Sequence, residues 1–204
     1  MAEQKQPAAG YSYDNRGGKD LDAAIAEQRA LWEQGQPGAA LAVGLLYRDK
    51  GDYAEALRWY DTATAAGDMK SARYAGLLYE RGLGVAKDEE KAVACYRVAA
   101  QRGDTTARTF LGNAYLFGRG VRQDYARAYA YYLDAAQHPV GHTKMTFEAC
   151  YRLGCMYEHG LFVRADRERA AHWYALCADF DFNNPEFEVS SRDAVEALER
   201  LAAR

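Results

Sequence analysis

One short motif occurs four times in the sequence, and this repetition restricts the folds open to the chain more than any other feature. A glycine is followed three residues later by a tyrosine at Gly44, Gly76, Gly112 and Gly154, with the glycines 32, 36 and 42 residues apart. A second motif, a tyrosine preceded by Trp, Cys or Tyr, follows each copy of the first and ends at Tyr60, Tyr96, Tyr132 and Tyr174. Four registered copies of two motifs indicate an array of tandem units, each packed on its neighbours.

Both motifs lie within stretches that have the apolar spacing of α-helices. In the third unit, the small and apolar positions are Ala107, Leu111 and Tyr115 around the first motif, then Ala128, Tyr132 and Ala135 around the second. Such stripes at intervals of three and four predict two amphipathic helices per unit. A glycine inside a helix costs about 1 kcal/mol relative to alanine. Its recurrence therefore predicts that a neighbouring helix approaches closely at this position.

The connections between the predicted helices are also repeated. Gly82 and Gly84, and likewise Gly118 and Gly120, join the two helices of the second and third units. Each connection is followed by an aspartate, Asp88 or Asp124, which is a preferred residue type for capping a helix N-terminus.

The complete pattern resembles the Sel-1-like repeat, a branch of the tetratricopeptide superfamily. The second unit carries Gly76, Tyr79, Gly82, Gly84, Val85, Asp88, Lys91, Ala92, Tyr96, Ala99, Ala100 and Gly103; the third carries Ala107, Leu111, Gly112, Tyr115, Gly118, Gly120, Val121, Asp124, Ala128, Tyr132, Ala135 and Ala136. The fourth unit has Phe162 in place of the second loop glycine, and the first, with a shorter loop, reads like an ordinary tetratricopeptide repeat. The resemblance covers residues 39–178.

The resemblance implies an all-α, right-handed α-α superhelix of four helix-turn-helix units with a capping helix at each end. We expect a single domain over residues 21–204. It comprises an N-terminal capping helix within 21–36, repeats at about 39–70, 71–106, 107–148 and 149–180, and a C-terminal capping helix at 191–203. Residues 1–20 are polar and Gly-rich, and we expect them to form a disordered tail.

Proteins of this family generally act as adaptors or scaffolds, and first helices of such arrays line a concave groove. The resemblance therefore implies a site for a peptide, loop or helix of another protein. The predicted groove residues are Leu41, Leu45, Arg48, Arg73, Leu77, Glu80, Arg81, Thr109, Asn113, Leu116, Phe117, Tyr151, Glu158 and His159.

Two irregular segments are alternative binding regions. The spacing between the third and fourth units is six residues longer than that between the second and third, with the excess at 137–144, and residues 179–189 alternate acidic and aromatic side chains. An insertion in a repeat array forms a loop on one face, which is often a binding face. Two other functions stay open: a dedicated inhibitor or immunity-type protein that blocks one enzyme or toxin, and a self-assembling structural component.

Several function classes have no support in the sequence. A net charge of −3 gives no electrostatic reason to expect nucleic acid, and no apolar run has the length of a membrane span. The four histidines lack metal-ligand spacing, and no motif indicates a catalytic site, a cofactor or a small-molecule substrate. Cys95, Cys150, Cys155 and Cys177 form no CxxC pair. We therefore expect a non-enzymatic, cytoplasmic protein with free thiols, as a monomer or weak dimer.

Overall fold

The computed structural model describes residues 20–137, 144–178 and 188–203, and all regular structure within these ranges is helical. The helices are α1 (Leu21–Glu33), α2 (Ala39–Lys50), α3 (Tyr53–Ala65), α4 (Ser71–Arg81), α5 (Glu89–Gln101), α6 (Thr105–Phe117), α7 (Tyr125–Gln137), α8 (Lys144–His159), α9 (Arg167–Ala178) and α10 (Glu188–Ala202). The predicted all-α class is confirmed. The expected N-terminal tail, most of the 137–144 insertion and most of the 179–189 segment lie outside the described residues.

The helices pack as a linear series of pairs. Within units, α2 packs on α3, α4 on α5, α6 on α7, and α8 on α9, and each second helix also contacts the first helix of the next unit. In addition, α6 contacts α8, and α8 contacts α10. The first helices α6 and α8 therefore lie beside one another, and α10 takes the place that the first helix of a fifth unit would have. The chain is a helical repeat solenoid, as predicted.

The helix ends follow from the residues found there. Asp88 accepts a hydrogen bond from the backbone N–H of Lys91 at 2.9 Å and begins α5. Asp124 accepts from the N–H of Arg127 at 3.0 Å at the start of α7. Each bond satisfies one of the backbone donors that the first turn of a helix leaves unpaired. Both predicted caps are confirmed.

The repeated glycine and tyrosine meet in the core of each unit. The four tyrosine rings are buried, with exposed fractions of 0–2%. A Cβ built on the glycine of the same unit would lie 2.5–2.6 Å from the nearest ring carbon in every case; the pairs are Gly44 with Tyr60, Gly76 with Tyr96, Gly112 with Tyr132, and Gly154 with Tyr174. The close approach predicted from the recurring glycine is therefore confirmed, and the approaching group is the tyrosine of the second motif.

The loop glycines hold neighbouring units together, and the fourth unit departs from this arrangement. A Cβ on Gly84 would lie 2.6 Å from the backbone at the start of α3, and one on Gly120 would lie 2.2 Å from the carbonyl oxygen of Glu89. Phe162 has the equivalent position in the fourth unit, with φ of +67°, and its side chain is 59% exposed with the ring near Tyr129. The loop of the fourth unit therefore places an aromatic ring beside α7 of the third unit, where the equivalent loops have a glycine.

The four cysteines are free thiols in the structure. Cys150 and Cys177 are buried, and the Cys177 thiol donates to the carbonyl oxygen of Phe147 at 3.3 Å. Burial raises the pKa of the half-buried Cys95 thiol to about 11, which keeps it protonated near neutral pH.

Candidate partner-binding surface

The predicted groove residues all lie on the first helices, which we call the inner layer (α2, α4, α6, α8 and, by position, α10). Arg81, Phe117 and His159 are exposed, and Leu41, Leu45, Arg48, Arg73, Leu77, Glu80, Asn113, Tyr151 and Glu158 are half-buried. Thr109 and Leu116 are buried, at 0% and 8% exposure. Leu116 packs in a cluster with Ala149 and Leu153 of α8, because α6 and α8 are in direct contact. These two side chains offer almost no surface to a partner.

The buried tyrosine of the second helix reaches the inner layer with its hydroxyl group. In the second unit, the Tyr96 hydroxyl donates to the Glu80 carboxylate at 2.8 Å. In the fourth unit, the Tyr174 hydroxyl donates to the Glu158 carboxylate at 2.9 Å. Burial, followed by the nearby carboxylate for Tyr96 and by Cys155 and the carboxylate for Tyr174, raises the pKa of each phenol. Both predicted groove glutamates therefore have a structural partner within their own unit.

In the third unit, a different residue accepts the hydrogen bond of the buried tyrosine. The residue four after the glycine is Leu116 here, which cannot accept a hydrogen bond. The Tyr132 hydroxyl instead donates to the side-chain oxygen of Asn113 at 2.6 Å. Asn113 is the residue directly after the glycine, so the acceptor has moved along the same helix by three positions.

The first unit has neither a glutamate nor an asparagine at the positions that accept the tyrosine hydrogen bond in the other units. Arg48 stands where the second and fourth units have glutamate, and Leu45 stands where the third has asparagine. Among the described residues, the Tyr60 hydroxyl is buried without a hydrogen-bond partner. The Tyr60 ring stacks on Tyr74 at 5.4 Å, while the Arg48 guanidinium binds Asp49 at 2.8 Å.

Arg73 joins two units. Its Nε lies 2.8 Å from Oδ2 of Asp104, and their side chains are only 13% and 5% exposed. Asp104 also caps α6, because its Oδ1 accepts from the N–H of Ala107 at 3.0 Å. The Arg73 guanidinium lies over the Tyr74 ring, 4.4 Å from its centroid. Arg73 was predicted as a groove cation, but it stabilises the junction between α4 and α6.

Glu158 has a similar structural role at the other end. Arg200 of α10 binds its two carboxylate oxygens at 3.1 and 2.8 Å. The Arg200 hydrogen bond is the main reason why the pKa of Glu158 is lowered, and it outweighs the effect of burial. Arg200 of the capping helix therefore neutralises the carboxylate of Glu158, one of the predicted groove residues.

The inner layer keeps an accessible portion that these framework contacts do not use. Phe117 is 46% exposed, and the guanidinium groups of Arg119 and Arg152 lie over its ring, 5.0 and 5.3 Å from the ring centroid. We define the accessible inner surface by the exposed Arg81 and Phe117 together with the half-buried Leu41, Leu45, Arg48 and Leu77. The surface combines apolar side chains with basic ones.

The sequence reasoning missed two residues of the inner layer, Tyr74 and Arg152. Both stand two residues before the repeated glycine, a position outside the predicted groove set. The signal was available, because this position holds Tyr74, Phe110 and Arg152 in the last three units. Tyr74 and Phe110 each contact the buried tyrosine of the preceding unit, at centroid distances of 5.4 and 5.0 Å.

Across the described ranges, no group of three or more His, Cys, Asp or Glu side chains is arranged to hold a metal ion. None of the helices in those ranges combines the length and apolar character needed to cross a membrane.

Comparisons with known proteins agree with the geometry. The sequence pattern of the Sel1 repeat matches residues 37–68, 70–104, 105–139 and 147–179. No curated protein sequence matches the chain.

Solved structures show the same fold. The protective antigen c5321 of uropathogenic Escherichia coli, which displays an SLR fold, is 28% identical with a TM-score of 0.70; the match covers 89% of this chain but only 42% of that one. A Sel1 repeat protein from Oxalobacter formigenes is 25% identical with a TM-score of 0.66, covering 90% of this chain and 82% of that one. The cysteine rich protein B of Helicobacter pylori is similar in fold, at 23% identity, a TM-score of 0.51 and coverage of 67% and 96%.

The repeated glycine and tyrosine contacts, the paired helices and the four matched segments lead to one conclusion. The chain belongs to the Sel1 repeat family, whose members are generally non-catalytic modules for protein–protein interaction.

Proposed function

We propose that this protein is a non-enzymatic adaptor or scaffold that binds a peptide, loop or helix of another protein on the accessible inner surface. The observation that carries the proposal is Phe117, which is 46% exposed on the inner layer and has two guanidinium groups over its ring. Aromatic and arginine side chains are the residue types enriched at the energetic centres of protein interfaces. The half-buried Leu41, Leu45 and Leu77 would extend the contact along neighbouring first helices.

The proposal includes the setting in which the protein acts. Four free cysteines fit a reducing compartment, so we propose the cytoplasm. We propose that binding needs no metal or cofactor and that the protein acts as a monomer or weak dimer.

Affinity capture with matched variants tests the proposal. The purified wild-type chain and two double variants are immobilised and exposed to extract of the native cell, and captured proteins are quantified by mass spectrometry. The inner-surface variant is Phe117→Ala with Arg81→Glu. The control is Phe162→Ala with Arg164→Glu, which makes the same chemical changes on the exposed loop before α9. We expect the control to retain the partner and the inner-surface variant to lose it by at least about tenfold.

The same measurement separates the possible surfaces. Circular dichroism and thermal unfolding first establish that both variants are folded. Equal capture by the inner-surface variant and the wild type would contradict the proposed surface. Loss of the captured partner only in the control would place the binding site on the exposed loop before α9. Arg73→Glu is unsuitable as a probe, since it would break the structural pair with Asp104.

A further inference from the structure

We propose that the accessible inner surface binds an acidic segment of a partner protein, whose carboxylate pairs with Arg119 and whose neighbouring apolar side chain packs on the Phe117 ring. This inference rests on the proposed function and names the chemistry that the partner must supply. Its basis is a local excess of positive charge on a chain whose net charge is −3.

The acidic side chains of the inner layer already have partners. The first helices α2, α4, α6 and α8 together carry four carboxylates. Asp49 pairs with Arg48, Glu80 accepts from the Tyr96 hydroxyl, Glu148 pairs with Arg152, and Glu158 pairs with Arg200. Within these four described helices, no carboxylate is therefore left to compensate a further cation.

Two arginines at the ends of consecutive first helices lack such a partner. Arg81 is the last residue of α4, and Arg119 follows the glycine that caps α6. Both side chains are exposed, and in the described part of the chain neither forms an ion pair or donates a side-chain hydrogen bond. By contrast, Arg73 and Arg108 on the same two helices each pair with a carboxylate. Uncompensated positive charge is therefore concentrated at the C-terminal ends of α4 and α6.

Phe117 provides an apolar contact beside this charge. The Arg119 guanidinium lies 5.0 Å from the centroid of the exposed Phe117 ring. The Arg152 guanidinium lies 5.3 Å from the same centroid, but Glu148 already binds it at 2.6 Å. Of the two cations at this ring, Arg119 is therefore the one that can take a new carboxylate as its partner.

The chemistry of the guanidinium favours a carboxylate. Its N–H donors form a planar fork that matches the two oxygens of a carboxylate, and it is more weakly hydrated than an ammonium group. The Phe117 ring offers an apolar surface at the same place. Arg81 stands at the same repeat position on α4 as Phe117 on α6, so it can pair with a second carboxylate of the segment. An acidic residue next to an apolar one is the partner sequence that this surface fits.

Titration with short peptides tests the inference without the natural partner. The full chain is produced with 4-fluorophenylalanine, and the Phe117 ¹⁹F resonance is assigned with Phe117→Leu. The acidic probe is acetyl-Leu-Glu-Leu-Glu-Leu-amide. One control probe has glutamine in place of glutamate, and the other has glycine in place of leucine. At an ionic strength of about 0.15 M, we expect the acidic probe to give a saturable Phe117 shift and to bind at least about tenfold more tightly than either control.

Variants localise the effect. Arg119→Gln removes the proposed cation, so affinity for the acidic probe should fall by about tenfold, towards that of the glutamine probe. Arg122→Gln removes an exposed positive charge from the same loop and should retain the affinity. Circular dichroism and thermal unfolding establish that both variants are folded. Arg119→Lys replaces Arg119→Gln if the latter does not fold, and a smaller loss is then expected because lysine keeps the charge without the planar fork.

Each contrary outcome removes a defined part of the inference. Equal affinity for the acidic and glutamine probes would overturn the role of the carboxylate, and equal affinity for the leucine and glycine probes would overturn the apolar contact. Equal losses in Arg119→Gln and Arg122→Gln would show general attraction of charge and no site at Arg119. Binding of hexathymidylate as tightly as the acidic peptide would overturn the choice of a protein segment. The proposed function fails by a different result, namely undiminished capture by the Phe117→Ala/Arg81→Glu variant, so the two failures are distinguishable.

Discussion

The ring of Tyr132 lies so close to Gly112 that a Cβ on this glycine would be 2.5 Å from Cε1 of the ring. Real Cβ atoms do not make contacts of this length, so an alanine would force α6 and α7 apart. Distances of 2.5–2.6 Å recur in all four units, and they explain why a residue with poor helix propensity is found at the centre of each first helix.

We expect Gly112→Ala to lower the free energy of unfolding by about 1–3 kcal/mol, the usual cost of overpacking a core. Urea unfolding of the wild type, both single variants and the Gly112→Ala/Tyr132→Leu double variant measures the coupling between the two positions. Alanine should cost less when leucine replaces the tyrosine ring. An equal cost in both backgrounds would show that the ring is not the source of the conflict.

The pair between Arg73 and Asp104 should contribute more to stability than the exposed ion pairs. Arg73→Ala leaves a carboxylate that is only 5% exposed without its cation, so we expect a loss of about 1–3 kcal/mol. Arg58→Ala is the matched control, because Arg58 is 77% exposed in its pair with Glu55 and such a change usually costs less than about 0.5 kcal/mol. Similar losses in the two variants, measured by urea unfolding, would refute this ranking.

The contact between Glu158 and Arg200 predicts a dependence of stability on pH. The pKa of Glu158 is lowered in the folded protein, so this carboxylate stabilises the fold above its unfolded pKa and loses that effect as pH falls through the lowered value. Arg200→Gln should therefore destabilise the protein by about 1 kcal/mol at pH 7, and the difference from wild type should shrink below about pH 4. Arg192→Gln, at an exposed position on α10, should show no such change; a constant difference at all pH values would contradict the prediction.

Tyr115 should ionise at a lower pH than Tyr129. Burial raises the pKa of Tyr115, but hydrogen bonds from Arg97 at 2.9 Å and Arg127 at 3.1 Å outweigh it, so the pKa is below the ordinary value. By contrast, burial and a hydrogen bond with Tyr157 raise the pKa of Tyr129 to about 12. In a spectrophotometric titration, Tyr115→Phe should remove an ionisation below about pH 10, whereas Tyr129→Phe should not. Identical curves for the two variants would disprove the assignment.

The architecture could be predicted because it depends on local and repeated signals. Apolar spacing defined the helices, and the recurrence of a glycine required a close neighbour. Asp88 and Asp124 acted as caps because capping depends on residues only a few positions apart. The type of side chain that packs against Gly112 could also be inferred, because the second motif of the same unit supplies a large one at Tyr132.

The accessible surface could not be predicted to the same extent, because it depends on contacts between units. Arg73 is paired with a residue 31 positions later, and Glu158 with one 42 positions later. The position of a residue relative to the repeated glycine does not show that its side chain is paired with a residue of another unit. It also cannot show that α8 covers Leu116, which occupies the same repeat position as the accessible Arg48.

The place of α10 has a consequence for how such a chain can change. It lies against α8 and α9 as the first helix of a following unit would. The fourth unit therefore contacts α10 through the same kind of surface by which each earlier unit contacts the next. Duplication or deletion of an internal repeat would then leave each boundary with a compatible neighbour. The length of the helical array can therefore evolve in whole-repeat steps.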